Sequence, residues 1–209
     1  GKPVSSSAQE YCYDCRTFPK SFQKGLSLFL YNKETRPIMS AFKYHNNRRL
    51  ADFFIWELFF QQYSQNYFHI YSKRYSHSHS RIYAAIESLG IDAVIPVPIH
   101  KNKYKKRGYN QAEVFGRALS KETGIALDDK CIIRKKSTIP QKKLSNEMRK
   151  INLQKAFGVD RKICSEYKTV LLVDDIYTTG STFDACAKVL KVAGVEKVYC
   201  LSVAVGRDG

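Results

Sequence analysis

Apolar residues follow two patterns along this chain, and the change between them near residue 91 is the first sign of its organisation. Ahead of it, residues 25–31, GLSLFLY, read as a strand, with Phe18 and Phe22 just before as aromatic contacts for a neighbouring surface. Pro37 suits the first turn of a helix over about 36–62 that offers Ile38, Phe42, Leu50, Phe53, Phe54 and Leu58 for burial. An interruption at 45–47 leaves open whether this is one helix or two. Residues 61–83, QQYSQNYFHIYSKRYSHSHSRIY, are rich in Tyr, Ser, Gln and His and poor in aliphatics. A polar connector is the plainer reading of that run, and stacking of its tyrosines on bases is the functional one. His77 and His79 flank a serine and make only a weak metal pair.

Beyond residue 91 strands and helices alternate. Residues 92–97 form an apolar strand ended by prolines, and KNKYKKRGYN reads as a basic loop. Residues 111–122 have helical spacing in Ala112, Phe115, Ala118 and Leu119. A short strand at 131–133 precedes a long polar, basic segment, 134–155. Then come a strand at 169–173, an acidic and Thr/Gly turn, a helix at 182–193 stopped by Gly194, and a strand at 197–205. Strands joined through helices imply a mostly parallel sheet, whose sites lie at the carboxyl ends of its strands. The chain divides into an amino-terminal segment 1–24, a region 25–90, and an α/β core 91–209.

Composition narrows the options. At 209 residues there is room for one substantial core and an appendage, and 44% hydrophobic with 26% charged residues reads as an ordinary soluble protein. No apolar stretch reaches membrane-spanning length, and GKPVSSSAQE does not resemble a secretory signal. An opening Gly suggests a trimmed chain. The formal charge is +16, and residues 101–155 hold 16 Lys or Arg against 5 Asp or Glu. Such a concentration points to a phosphate or pyrophosphate site or to a nucleic-acid surface, with a solubilising face as the bland alternative. Six cysteines in a chain of this size are not expected to form a disulfide scaffold; Cys131 and Cys200 sit in apolar runs as small buried hydrophobes, and a reducing cytoplasm fits.

The chemistry concentrates in VLLVDDIYTTGST, residues 170–182. Four aliphatics deliver Asp174 and Asp175 to a strand end, where two adjacent carboxylates need a polar ligand or a cation. Vicinal ribose hydroxyls or Mg²⁺ are the natural partners. Thr178, Thr179, Gly180, Ser181 and Thr182 then supply hydroxyls and backbone N–H groups at a helix start, which makes an anion nest. Simple capping would explain either half alone, but the succession predicts a cradle for a phosphorylated ribose. A P-loop is excluded, since GxxxxGK[ST] is absent.

These residues resemble the signature of type I phosphoribosyltransferases and, more narrowly, the ComF family of competence-associated proteins, also called amidophosphoribosyltransferase-like. The resemblance rests on AFKYH (41–45), VIPVP (94–98), KRGYNQAE (106–113), the segment from Gln141 to Phe157, and VDDIYTTGST, and covers roughly 11–205. It implies an α/β, type I phosphoribosyltransferase-like fold: a mostly parallel twisted sheet flanked by helices. Cys12 and Cys15 look like the last pair of a zinc-ribbon-like module, an incomplete Zn²⁺ site whose alternative is two unliganded thiols. Pyrophosphate binding maps onto the loop with Lys103, Lys105, Lys106 and Arg107; for Arg107 a surface ion pair with Glu113 is the alternative. Asn110 and Gln111 either cap a helix or reach the ligand. Lys142, Lys143 and Arg149 fall in a flexible hood over the substrate, about 134–155.

The resemblance further implies phosphoribosyl pyrophosphate as ligand, with Mg²⁺, and a role in DNA uptake and natural transformation. Transfer of the phosphoribosyl group to an unidentified acceptor, with release of pyrophosphate, is the enzymatic reading. A non-catalytic module for single-stranded DNA or a partner, and a phosphoribosyl pyrophosphate sensor, are the alternatives. A helicase-like ATPase of the uptake machinery is an implied partner, in the cytoplasm at the inner face of the membrane. Phe18, Phe22 and Trp56 are candidate anchors for a homodimer.

Overall fold

The computed structural model describes residues 12–60, 79–135 and 156–206. Lys142, Lys143, Arg149 and most of the expected hood lie outside the described residues, as does 61–78 of the tyrosine-rich run. A short helix α1 (Tyr13–Thr17) leads to strand β1 (Lys24–Tyr31) and to helices α2 (Thr35–Tyr44), α3 (Leu50–Phe60) and α4 (His79–Ser88). Of the two alternatives left open over 36–62, the structure shows two helices, α2 and α3. Asn46, with φ 53°, makes the break, and asparagine tolerates that left-handed backbone. Burial follows the helical spacing at Phe42, Phe54 and Leu58, but Ile38 and Phe53 remain exposed, their places taken by Met39 and Ile55.

The α/β run follows: β2 (Ala93–Pro96), α5 (Lys101–Arg107), α6 (Gln111–Thr123), β3 (Ala126–Leu127), β4 (Ile132–Arg134), β5 (Phe157–Val159), α7 (Arg161–Cys164), β6 (Thr169–Tyr177), α8 (Ser181–Val192) and β7 (Lys197–Gly206). Five strands form a parallel sheet in the order β1-β7-β6-β2-β3, and β4 pairs antiparallel with β5. The mixed α/β fold with helices flanking a parallel sheet agrees with the expectation from sequence. β1 is an edge strand of the same sheet, although it comes from the region set apart from the core by composition.

The sheet is buried on both faces, so its strands read as nearly continuous apolar runs. Val94, Leu171, Val173, Leu201 and Val203 face α2, α3, α4 and α6 through Phe42, Phe54, Ile86 and Phe115. Ile95, Val170, Leu172, Val198 and Cys200 face α8 and the β4–β5 pair through Phe183, Leu190, Ile132 and Phe157. Gly116 permits a close approach of α6 to the sheet: a Cβ there would press on Leu127 and Val173. Among the described residues no helix is long and apolar enough to cross a membrane.

Three local expectations are corrected. The basic stretch after β2 is a helix, not a loop: His100 Nδ1 caps it at Asn102 N, no breaker interrupts KNKYKKR, and Gly108 ends it at φ 77°. Cys131 is buried as expected but is joined to Cys164 in a disulfide, because folding brings the start of β4 against α7 from 33 residues away. Phe22 is not an exposed anchor; it is buried edge-on against Tyr177 and Phe183, whereas Phe18 and Trp56 are exposed.

Candidate functional site

Connections from β2 run through α6 to β3 at one edge, whereas those from β6 run through α8 to β7 on the other side. The direction of winding thus reverses between the parallel neighbours β2 and β6, the switch point at which sheets of this kind form a crevice beyond the carboxyl ends of their strands. Proline sets its floor. Pro96 pairs with Val173, Val97 N donates to Val173 O at 2.9 Å, and Pro98 then ends the pairing. β6 nevertheless continues along β7 to Tyr177, four residues longer than expected. Asp174 and Asp175 are therefore held in extended backbone, with β7 on one side and the crevice on the other.

The two carboxylates differ. Asp175 Oδ2 lies 3.1 Å from Lys43 Nζ, and Asp174 Oδ1 accepts the Asp175 N–H at 2.8 Å. Burial of the Asp174 carboxyl, then the neighbouring Asp175 charge, pushes its pKa up to about 8, against the pull of that N–H, Lys43 and Lys103. Lys103, on the exposed face of α5, has its pKa lowered by partial desolvation and by the charges of Arg107 and Arg134. Arg134, at the end of β4, is the one buried side-chain donor left unpartnered among the described residues, at Nε. Its guanidinium lies 5.1 Å from the Phe157 ring centroid, and Nη1 reaches Pro98 O at 3.5 Å. Burial lowers its pKa, against the pull of Cys186 and Asp174. The crevice thus gathers Lys43, Lys103 and Arg134 around the acidic pair.

The turn after β6 is built around a left-handed glycine at a helix start. Gly180 stands at the N-cap of α8 with φ 71°, Thr179 Oγ1 and Ser181 Oγ share a hydrogen bond of 2.8 Å, and Thr178 and Thr179 are exposed. α8 begins at Ser181, one residue earlier than its sequence pattern indicated. A Cβ at Gly180 would collide with the hydroxyl end of Tyr177, whose ring is held by Phe22 and Phe183. Gly180→Ala is expected to cost about 2–4 kcal/mol, from the left-handed backbone and this collision together. A thermal melt checks it, and an unchanged midpoint would mean that the turn has no such constraint.

The other predicted residues lie on α5 and at the start of α6. Arg107 Nη1 donates to Gln111 Oε1 at 2.8 Å and its guanidinium lies 5.1 Å from the Tyr44 ring centroid, while Glu113 pairs with Arg117. Asn110 is buried, caps α6 at Ala112 N and donates to Val97 O; Gln111 is buried and donates to Lys43 O at 3.5 Å. Lys105 and Lys106 are exposed on α5. Lys43 and Arg134 were missed by sequence reasoning. Lys43 lay inside the quoted AFKYH, which was the available signal. For Arg134 the signal was its place at the start of the segment expected to form the hood, 134–155, although the structure puts it at the end of β4.

No cluster of three or more His, Cys, Asp or Glu suited to a metal occurs among the described residues. Cys12 and Cys15 bring two thiols, half a tetrahedral shell, so zinc does not fit the described residues as a closed site. The Cys15 thiol is pushed up by burial and by Cys12, and Tyr177 opposes this. For Mg²⁺ the crevice offers two carboxylates, one already paired with Lys43, so the remaining ligands would have to come from a bound phosphate and water.

Fold and crevice together define a parallel α/β protein with an acidic strand end and a hydroxyl-rich turn at its switch point. In sequence the chain is similar to Competence protein F of Haemophilus influenzae, at 38% identity over 114 residues, 54% of this chain and 50% of the relative. It is also 31% identical over 112 residues to DNA utilization protein YhgH of Escherichia coli K12, covering 53% and 48% of the two chains. Competence protein ComFC of Bacillus subtilis is 24% identical over 203 residues, 93% of this chain and 70% of the relative. The chain spans about half the length of the first two of these relatives. No family model matches it.

Proposed function

We propose that this chain is a ComF-like, type I phosphoribosyltransferase-like protein of DNA uptake that binds phosphoribosyl pyrophosphate in the β2–β6 crevice. The observation that carries the reading is the succession of Asp174, Asp175 and the Gly180-centred turn on one strand–turn–helix unit at the switch point. The similarity to proteins named for competence and DNA utilization supports the biological setting.

In this reading the 5-phosphate sits on Thr178, Thr179, Gly180, Ser181 and Thr182, and the ribose hydroxyls meet Asp174 and Asp175. Lys103 and Arg134 face the pyrophosphate, where Mg²⁺ carried by the ligand would neutralise charge. Attack of a nitrogen nucleophile at the anomeric carbon breaks its bond to the pyrophosphate oxygen. Fixed charges then stabilise both the cationic ribosyl centre and the leaving anion. The test is calorimetric binding of phosphoribosyl pyrophosphate with Mg²⁺, followed by assay of pyrophosphate release with a panel of bases, amines and DNA. Saturable binding is expected. Binding without acceptor-dependent release would leave a sensor, and absence of binding would overturn the reading.

A second reading, single-stranded DNA binding, is favoured by α5, which exposes Lys101, Lys103, Lys105 and Lys106 beside Tyr104, itself 50% exposed. Charge reversal at Lys105 and Lys106 is then expected to weaken oligonucleotide binding and flatten its salt dependence by roughly two phosphate contacts. Unchanged affinity would remove α5 from any DNA surface.

A further inference from the structure

The KRGYNQ motif supplies little to the crevice directly; most of its contacts are spent on the end of α2. Tyr109, buried, donates its hydroxyl to Phe42 O. Gln111 Nε2 donates to Lys43 O, and Arg107 holds the same Gln111 amide while lying over Tyr44. Arg48 lies 4.7 Å from the other ring, Tyr109. Phe42 is anchored beneath by Phe54 at 5.2 Å. The residues on either side of Lys43 are thus fixed from two directions, and the carbonyl of Lys43 itself is held. The consequence is that the Lys43 side chain leaves the last turn of α2, where the helix dipole favours a cation, toward Asp175. Its side chain is 18% exposed and that of Asp175 13% exposed, so the pair is screened little by solvent.

We propose that Lys43 is the resident counter-cation of the ribose end of the crevice. It fills the place at Asp175 that a divalent ion would otherwise take, so that a ribose phosphate binds without added divalent metal. The inference rests on the ribose-phosphate reading and deepens it. Any dependence on Mg²⁺ is thereby confined to ligands that carry a pyrophosphate. The arrangement explains why α2, which is far from β6 along the chain, is locked to the α5–α6 junction. A helix needed only for core burial would be satisfied by Phe42 and Met39.

Ribose 5-phosphate, which lacks pyrophosphate, is the probe. Calorimetric titration of the wild-type chain in EDTA and in excess Mg²⁺ is expected to give affinities within about threefold of each other. Lys43→Met, of similar length and without charge, is expected to lose about tenfold or more in EDTA and to recover part of it in Mg²⁺. Lys43→Arg, which keeps the charge, should retain metal-independent binding. Wild-type binding that requires Mg²⁺ would overturn this inference and leave the ribose-phosphate reading standing, a result that needs no variant to fold. Lys43→Met affinity equal to wild type in EDTA would also overturn it. No binding of ribose 5-phosphate in either condition would overturn this inference, and absence of phosphoribosyl pyrophosphate binding as well would overturn the reading it rests on.

Discussion

At pH 8.5, where the wild-type carboxyl is ionised, an Asp174→Asn chain is expected to be more stable than the wild type and to bind ribose 5-phosphate about 10- to 100-fold more weakly, the loss of a charge-assisted hydrogen-bond acceptor. The sign follows from linkage. The folded-state pKa of Asp174 is raised, to about 8, above the 3.8 of an unperturbed carboxyl. The unliganded fold then gains most from this group below pH 4 and loses that gain as pH climbs from about 4 to 8. Above that range the carboxylate is charged in both states and its burial is a net cost, about 1.4 kcal/mol for each tenfold difference in proton affinity between folded and unfolded chain. Asparagine carries no such cost. Denaturant midpoints at pH 5 and pH 8.5 for both proteins check it: the variant's advantage should grow with pH. An advantage that is constant or reversed would mean that Asp174 is well compensated by Lys43 and Lys103. On the proposed reading, the crevice keeps a poorly solvated carboxylate for a ligand's hydroxyls, at the expense of the empty state.

Phe42→Ala is expected to lower stability by about 3–5 kcal/mol, the range for truncating a fully buried phenylalanine. Phe42 has no solvent exposure and meets Phe54 edge-on at 5.2 Å and Tyr109 at 6.5 Å, at the meeting of α2, α3 and the α5–α6 junction. Urea unfolding measures the loss, and Trp56→Ala, on the exposed face of α3, is the control expected to move the midpoint little. Because Phe42 precedes Lys43, the same variant should also weaken ribose 5-phosphate binding under conditions where it remains folded. Equal stability of the two variants would mean that α2 does not dock as described.

The strand–turn–helix unit from β6 to α8 was legible because all of its determinants are local. A run of aliphatics fixes a buried strand, Gly180 provides the left-handed turn, and hydroxyls mark the helix start. The helix at α5 was misread because lysine density resembles a loop by composition, whereas straight-chain residues between a capping His100 and a terminating Gly108 are good helix formers. RGYNQAE was legible as a motif but not in its contacts: Arg107 and Gln111 reach α2, which no spacing within the motif indicates.

The sequence by itself determined the parallel α/β class, the acidic pair at a strand end and the Gly180 turn, since side-chain periodicity and backbone preference act over a few residues and are written there. Only the tertiary structure decided that Lys43 meets Asp175, that Arg134 joins the crevice and that Cys131 bonds Cys164. These depend on strand order and on which helix covers which face. Such choices are settled by burial summed over the whole sheet, a quantity that no local stretch of residues contains.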